Sequence, residues 1–231
     1  MERKAHLLVS NARKQPSPQP GVQASQTVVS KNPEIYPIIL AAGGSQRLGF
    51  AKQDAKFDGH SALELAVRNC AWLRKPIVVL GCGAARLRRG MPPGVRVVVN
   101  RNWRRGMLSS FLAGLRRVPR DADFLLYPVD YPLLTETVVG RLVAGFCRRR
   151  HGQQIAVPSF LRRTGHPVVF AAGMRRELSQ ATSARQVVYR DRKRVLFVSA
   201  RTAAIFRDFD TPAAYRKRLR EFQRRRKRKG R

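Results

Sequence analysis

Cysteines, acidic residues and long apolar runs are all scarce in this chain, and each scarcity excludes a class of protein. The three cysteines form no C-x-x-C pair, which argues against a disulfide framework or a zinc knuckle. No stretch approaches the roughly 18 apolar residues of a membrane helix, and the amino terminus lacks the apolar core of a secretory signal. We therefore expect a reduced, cytoplasmic protein with no membrane partner.

The shortage of acids leaves a strongly positive chain, with 14 Asp and Glu against 47 Lys and Arg and a formal net charge of +33. Such a charge attracts polyanions, among them nucleotides and nucleic acids. The cations are spread through the body, and no helix-turn-helix, zinc-finger or RNA-binding aromatic signature accompanies them. The charge therefore favours a protein that binds an anionic ligand over one that recognises a nucleic-acid sequence, although a nucleic-acid partner stays open.

Short apolar runs alternate with amphipathic stretches between residues 35 and 218, and this stretch is predicted to be the folded domain. Strands that alternate with helices indicate parallel βαβ units, here a Rossmann-like, doubly wound, mostly parallel α/β sheet. Residues 1–34 are polar and carry a proline cluster, so they are predicted to be a disordered tail. Residues 219–231 are predicted to be a basic carboxyl-terminal tail.

The stretch 36–52 combines a buried strand, a glycine turn and two cations. Glycine permits a tight turn and close approach of a ligand, and successive backbone amides in such a loop bind anions. Arg47 and Lys52 follow at a distance that suits a polyphosphate. The stretch therefore predicts a nucleotide triphosphate loop, and it matches neither the dinucleotide G-x-G-x-x-G pattern nor a P-loop. Its candidate nucleotide-binding residues are Leu40, Ala41, Ala42, Gly43, Gly44 and Ser45.

Carboxylates at two further points predict a magnesium site. Asp130 ends a buried strand between two prolines, where it can hold Mg²⁺ or simply cap a turn. Asp208 and Asp210 alternate with Phe209, so in an extended segment both carboxylates lie on one side. Asp210 is the expected second metal ligand and Asp208 a weaker candidate, the alternative being a cap for the helix that follows.

Two other motifs carry candidate ligand contacts. Asn100, Gly106, Ser109 and Ser110 lie where a strand ends and a helix begins, and they suit a nucleobase or a phosphate as well as plain helix capping. His166 lies in the tight loop Gly165-His166-Pro167, where it is either a ligand contact or an ordinary loop residue.

These motifs together resemble the MobA-like NTP transferase family. The loop fits the pattern L-A-A-G-x-x-x-R-x-G-x-x-K, and it is followed in family order by the Asn100 to Ser110 element, Pro-x-Asp-x-Pro around Asp130, Gly-His-Pro at 165–167 and Asp-x-Asp-Thr-Pro at 208–212. The Gly-Met-x-Ser-Ser and Gly-His-Pro elements resemble the molybdenum cofactor cytidylyltransferase branch.

The resemblance implies a fold of the nucleotide-diphospho-sugar transferase type and a defined reaction. In that reaction a phosphate of molybdopterin attacks the α-phosphorus of CTP, and pyrophosphate leaves. Arg47 and Lys52 would hold the triphosphate, Asp130 and Asp210 would hold Mg²⁺, and His166 would contact the acceptor. A molybdoenzyme or its chaperone would receive the product.

The chain departs from the family pattern after Lys52, where it reads Gln53-Asp54-Ala55-Lys56, and after Thr211-Pro212, where alanines replace acids. These departures affect the acceptor more than the chemistry. Two alternatives therefore stay open: the same reaction with another NTP or a sugar-phosphate acceptor, and a basic nucleic-acid-binding protein built on a decayed transferase fold.

Overall fold

The computed structural model describes residues 33–229 and, for residues 228 and 229, the backbone alone. The predicted amino-terminal tail lies outside the described residues except for positions 33 and 34. Within the described range, strands and helices alternate as the sequence predicts.

The described residues form one eight-stranded sheet and a separate two-stranded ribbon. The strands are β1 (Ile35–Ala41), β2 (Lys56–Phe57), β3 (His60–Ser61), β4 (Ile77–Leu80), β5 (Arg96–Val99), β6 (Asp123–Pro128), β7 (Ile155–Phe160), β8 (Arg163–Thr164), β9 (Val168–Phe170) and β10 (Val195–Ser199). The main sheet has the order β10-β7-β9-β6-β1-β4-β5, with β8 paired to β7.

The sheet is mostly parallel. Strand β1 pairs in parallel with both β4 and β6, and β4 pairs in parallel with β5. Strand β9 runs antiparallel to both of its neighbours, β6 and β7, so β7 and β10 point the same way as β6. The predicted doubly wound, mostly parallel α/β fold is confirmed. It aligns the carboxyl ends of the central strands along one edge, where ligands of such sheets bind.

Helices cover both faces of the sheet. They are α1 (Ala62–Cys70), α2 (Ala84–Arg89), α3 (Met107–Leu115), α4 (Glu136–Cys147), α5 (Arg175–Gln180), α6 (Ala184–Arg190) and α7 (Pro212–Lys229). Alternate residues of β1 point to opposite faces, as a strand requires. Ile39 packs with α1 and α4 on one face, and Ile38 packs with α3 and α6 on the other.

The carboxyl-terminal helix extends the folded region beyond the boundary predicted after residue 218. The Thr211 hydroxyl accepts a hydrogen bond from the Ala214 amide at 3.2 Å, so Thr211, and neither aspartate, caps α7. Phe222 lies 5.8 Å from Phe57 between ring centroids. The Arg225 guanidinium donates to the Leu133 carbonyl at 2.7 Å. The first turns of the predicted basic tail are therefore helical and packed against the body.

None of the helices described between residues 33 and 229 is long and apolar enough to cross a membrane.

Candidate active site

Two loops and one extended segment bring the predicted charged residues together at the carboxyl edge of the sheet. The Lys52 ammonium lies 3.0 Å from Asp130 Oδ2 and also donates to Asp210 Oδ1. The Arg47 guanidinium donates to the other Asp210 oxygen at 2.8 Å. Residues that are up to 163 positions apart in the sequence thus meet at one point, as the motif analysis predicted.

Asp208 completes a cluster of three carboxylates. One oxygen from each of Asp130, Asp208 and Asp210 lies within 4.8 Å of the others. Phe209 between them is fully buried, which confirms that the two flanking carboxylates share a side. Three carboxylates against the charges of Lys52 and Arg47 leave an excess of one negative charge. Asp208, the weaker candidate in the sequence, therefore belongs to the cluster.

The protonation properties of the cluster follow from burial and charge. Burial raises the pKa of Asp130, and the attraction of Lys52 only partly offsets this. Burial also opposes the charged form of Lys52, but Asp130 and Asp210 outweigh it and raise the pKa of the ammonium. For Asp210, the hydrogen bonds from Lys52 and Arg47 outweigh burial and lower the pKa. Lys52 and Asp210 are thus held as ions at neutral pH.

The cluster fits a divalent cation. Although 19% of the Asp130 side chain is exposed, its Oδ1 is buried and has no hydrogen-bond partner in the described chain. A buried, unpaired carboxylate oxygen is costly unless a ligand satisfies it. Hard cations such as Mg²⁺ and Mn²⁺ take carboxylate oxygens as ligands.

The glycine loop is held open beside this cluster. The Ser45 hydroxyl accepts a hydrogen bond from the Lys52 amide at 3.0 Å, and the Ser45 carbonyl accepts one from the Leu48 amide at 2.9 Å. Ser45 has a φ of 51°, in the left-handed region. Within residues 33–229 the amides of Gly43 and Gly44 donate to no protein acceptor. They are available to an anionic ligand.

Asn100 makes its hydrogen bonds to other residues of the protein. It is buried, and its amide group donates to Ser109 Oγ at 3.0 Å and to Ser110 Oγ at 3.1 Å, while its Oδ1 accepts from the Asn102 amide at 3.0 Å. Ser109 also donates to the Gly106 carbonyl at 2.9 Å. Of the residues predicted here as nucleotide contacts, Gly106 and Ser110 line the cavity, whereas Asn100 and Ser109 brace the loop that carries them.

A cavity of about 580 Å³ joins these parts. The glycine loop, Lys52 with Asp130 and Asp210, and the start of α3 line it, and so does Trp103, which no sequence motif predicted. Ala42, although part of the predicted motif, is buried outside the lining. Trp103 stands between Asn100 and Gly106 in the sequence, and an aromatic residue inside a predicted ligand loop was the signal that could have found it.

A second cavity of about 500 Å³ is lined in part by Tyr131, the residue that follows Asp130. Its lining is largely apolar, with Phe111, Val157 and Val188 among its residues, and Gly106 and Met107 line both cavities. The sequence did not predict this cavity, because its walls include residues of four strands and two helices that are far apart in the chain.

His166 lies in the wall of the second cavity. Its ring centroid is 5.1 Å from that of Tyr131, its Nδ1 is buried without a hydrogen-bond partner in the described chain, and burial lowers its pKa to about 4. The ring is therefore neutral at physiological pH and has a nitrogen free for a ligand. Gly165 precedes it because any Cβ there would lie 1.9 Å from the Ile205 carbonyl oxygen.

Comparison with known sequences identifies the family. A sequence model of the MobA-like NTP transferase domain matches residues 37–202, most of the chain. The chain belongs to the MobA-like NTP transferase family. As the sequence predicted, it is a nucleotidyltransferase. The glycine loop, Arg47, Lys52 and Asp130 lie within the matched region, and Asp208 and Asp210 follow shortly after it.

Named proteins and solved structures resemble the chain. Nicotine blue oxidoreductase of Paenarthrobacter nicotinovorans is 33% identical over 160 residues, which are 65% of this chain and 78% of that protein. A homologue of Mycobacterium tuberculosis Rv0371c from Mycobacterium sp. strain JC1 superimposes with a TM-score of 0.71 at 25% identity, covering 84% of this chain and 99% of that one.

Two more distant structures share the fold. Rv0371c of M. tuberculosis H37Rv, solved in complex with manganese, has a TM-score of 0.65 at 24% identity and covers 80% of this chain and 98% of that one. Molybdopterin-guanine dinucleotide biosynthesis protein A of Archaeoglobus fulgidus has a TM-score of 0.63 at 16% identity and covers 83% of this chain and all of that one.

Proposed function

We propose that the protein transfers CMP from CTP to the terminal phosphate of molybdopterin in the molybdenum cofactor and releases pyrophosphate. The observation that carries this proposal is the carboxylate cluster with the unpaired Oδ1 of Asp130. Asp130 and Asp210 line one cavity, and a second cavity shares Gly106 and Met107 with it. One cavity has the cations and free amides that suit a nucleotide triphosphate. The other can take a second substrate whose reactive end reaches the same point.

The chain's own residues act by positioning and by neutralising charge, which is how enzymes catalyse transfers at phosphorus. Arg47 and Lys52 bind the triphosphate, and the amides of Gly43 and Gly44 donate hydrogen bonds to its oxygens. A phosphate oxygen of the acceptor then bonds to the α-phosphorus of CTP while the bond to the bridging oxygen of pyrophosphate breaks. The cations neutralise the charge that develops on the leaving pyrophosphate.

Asp130, Asp208 and Asp210 would hold Mg²⁺ in this enzyme. When bound, the ion supplies positive charge against the phosphates. Excess negative charge in the cluster supports such a cation, and the manganese complex of the structurally similar Rv0371c supports a divalent metal at this fold. Lys52 neutralises part of the same cluster, so we propose that it turns from the carboxylates towards the triphosphate when metal and nucleotide bind.

The second cavity supports molybdopterin over a sugar phosphate as the acceptor. Its walls are mainly aliphatic and aromatic, which favour a planar heterocycle over a hydroxyl-rich ring. The neutral His166 offers a nitrogen to a polar edge of such a heterocycle. The structural similarity to a molybdopterin-guanine dinucleotide biosynthesis protein agrees with this choice.

A pyrophosphate-release screen tests the proposal. Each of the four NTPs is offered with molybdenum cofactor, molybdopterin or sugar phosphates, in Mg²⁺ or Mn²⁺, to the wild-type protein and to Asp130→Ala. We expect release with CTP and a molybdopterin acceptor, and none from the variant. Turnover with GTP alone would overturn the choice of nucleotide, and faster turnover with a sugar phosphate would overturn the choice of acceptor.

Two further arms of the screen address other classes of function. Because one relative is named an oxidoreductase, NADPH oxidation is followed with each acceptor in the absence of NTP. Because the chain is so basic, binding to DNA and RNA is measured across a salt series. Tight, salt-sensitive nucleic-acid binding without pyrophosphate release under any condition would favour a binding protein on a transferase fold.

A further inference from the structure

Trp103 packs directly on the glycine loop. A Cβ placed on Gly44 would lie 3.0 Å from the Cη2 of the indole, and one on Gly81 would lie 2.6 Å from the Trp103 Cβ. Both contacts are closer than ordinary van der Waals distances, so glycine at each position makes room for the tryptophan. Gly44 thus serves a packing purpose in addition to offering its amide to a phosphate.

The order of strands shows which end of the nucleotide cavity Trp103 occupies. Asp130 follows β6, the glycine loop follows β1, Gly81 follows β4 and Trp103 follows β5, and these strands are neighbours in that order. Arg47 and Lys52 contact the acids at the β6 and β1 end, where the triphosphate binds. A nucleotide held there by its phosphates extends its base towards β4 and β5.

The indole is a fixed wall at that end. Its ring lies against the backbone of the glycine loop, and the guanidinium carbon of Arg104 lies 4.7 Å from the ring centroid. Trp103 is half-buried, and it packs with Leu108 and Ala113 against the core on the α3 side of the sheet. A side chain with contacts on both the loop and the helix face cannot move aside without disturbing one of them.

We infer that Trp103 forms one wall of the nucleobase subsite and restricts it to a pyrimidine. A purine is larger than a pyrimidine by one fused ring, and the indole lines the cavity at the end towards which the base extends, where it limits the room for that ring. This inference rests on the proposed function, because it concerns how the same cavity selects CTP. Selection by an unyielding side chain that excludes the larger ligand is a common basis of specificity.

The test measures nucleotide affinity without any acceptor. CTP and GTP are titrated by calorimetry in Mg²⁺ into the wild type, Trp103→Ala and Trp103→Phe, with Trp72→Phe as the matched control. Trp72 lies near Gly140 of α4, away from the cavity lining. We expect the ratio of CTP to GTP affinity to fall at least 10-fold in Trp103→Ala, chiefly through tighter GTP binding, to fall less in Trp103→Phe and to be unchanged in Trp72→Phe.

Fluorescence supplies a second readout that does not depend on how well Trp103→Ala folds. The chain has two tryptophans, so Trp72→Phe leaves Trp103 as the single reporter. CTP at saturating concentration should change its emission. Unchanged emission, or an unchanged affinity ratio in both Trp103 variants, would overturn the inference even if the wild type prefers CTP. A wild type that prefers GTP would overturn the cytidylyl proposal as well.

Discussion

At the scale of single residues, Lys52 and Asp130 show how the site balances stability against function. Lys52 is shared by two carboxylates, while the buried Oδ1 of Asp130 has no partner in the described chain. Burial raises the pKa of Asp130, so its ionised form costs folding free energy at neutral pH. An unpaired buried group of this kind is typical of a functional site, where stability is given up for binding.

Replacement of Asp130 by Asn should therefore reduce activity and increase stability. We expect pyrophosphate release to fall at least about 100-fold, the typical loss when an electrostatic group of a site is removed. The melting temperature should rise by roughly 2–4 °C above about pH 4, because the folded protein no longer holds an ionised carboxylate there. Calorimetric melting and the release assay check both effects. Asp121→Asn, at an exposed position, should change neither, and a lower melting temperature for Asp130→Asn would contradict this account.

His166 should make stability depend on pH in a narrow window. Its folded pKa of about 4 lies below the ordinary value of 6.5, so between these values the unfolded chain binds a proton that the folded chain does not. Stability should decline by about 1–3 kcal/mol as the pH falls from 6.5 to 4. Denaturant titrations of the wild type and of His166→Gln measure this, and the variant should lose that part of the slope. His151→Gln, at an exposed histidine, is the control, and equal slopes for all three proteins would refute the assignment.

At the scale of elements, the sequence predicted strands and motifs well and the cavity walls poorly. Strand β1 and the glycine loop were predictable because a short apolar run and its glycines are local signals. Asp208 and Asp210 were predictable as a pair because they alternate with a buried Phe209. The second cavity was not, because tertiary packing alone brings Phe111, Val157 and Val188 together.

Helix α7 is a second case in which tertiary packing was not predictable from composition. Its high content of Arg and Lys predicted a tail after residue 218, but the apolar residues Leu219 and Phe222 recur at helical spacing and pack on the core. Arg225 adds two hydrogen bonds, to the Leu133 carbonyl and to Thr202 Oγ1 at 3.1 Å. A few apolar residues on one face were sufficient to pack this helix on the core, although its overall composition predicted a solvent-exposed tail.

Deletion of residues 219–231 should consequently destabilise the whole domain. We expect a loss of about 2–4 kcal/mol in the free energy of unfolding, since two half-buried apolar side chains and the Arg225 contacts are removed. Urea denaturation of the shortened and full chains checks this. Arg216→Ala, at an exposed position of the same helix, should have no effect. If the deletion leaves the midpoint unchanged, the contacts of α7 contribute nothing to stability.

At the scale of the whole molecule, the charge of +33 acts on both substrates of the proposed reaction, because CTP and the acceptor are both phosphate-bearing anions. A field of one sign raises the local concentration of oppositely charged ligands and is screened by salt. At long range, the positive field of the whole molecule also outweighs the excess of negative charge in the acidic cluster. An anionic nucleotide can therefore approach a site that is locally acidic.

The efficiency of the reaction should accordingly depend on ionic strength. Between about 20 and 500 mM salt we expect kcat/KM for CTP to fall roughly 10-fold, mainly through KM, because steering affects association more than chemistry. Steady-state kinetics with a non-binding salt such as potassium glutamate measure this. A parallel fall in kcat with KM constant would mean that salt acts on the transfer step, contrary to the steering account.

The two cavities are built largely from different parts of the chain, one before and one after strand β6. Most of the nucleotide side comes from residues 35–115, whereas β7, β9 and α6, which supply much of the second cavity, come from residues 155–190. The acids of the carboxylate cluster lie on either side of residues 155–190 in the sequence, at positions 130, 208 and 210. A single exchange of genetic material between those positions would replace much of one pocket and keep the other, so donor and acceptor preference can diverge separately within one lineage.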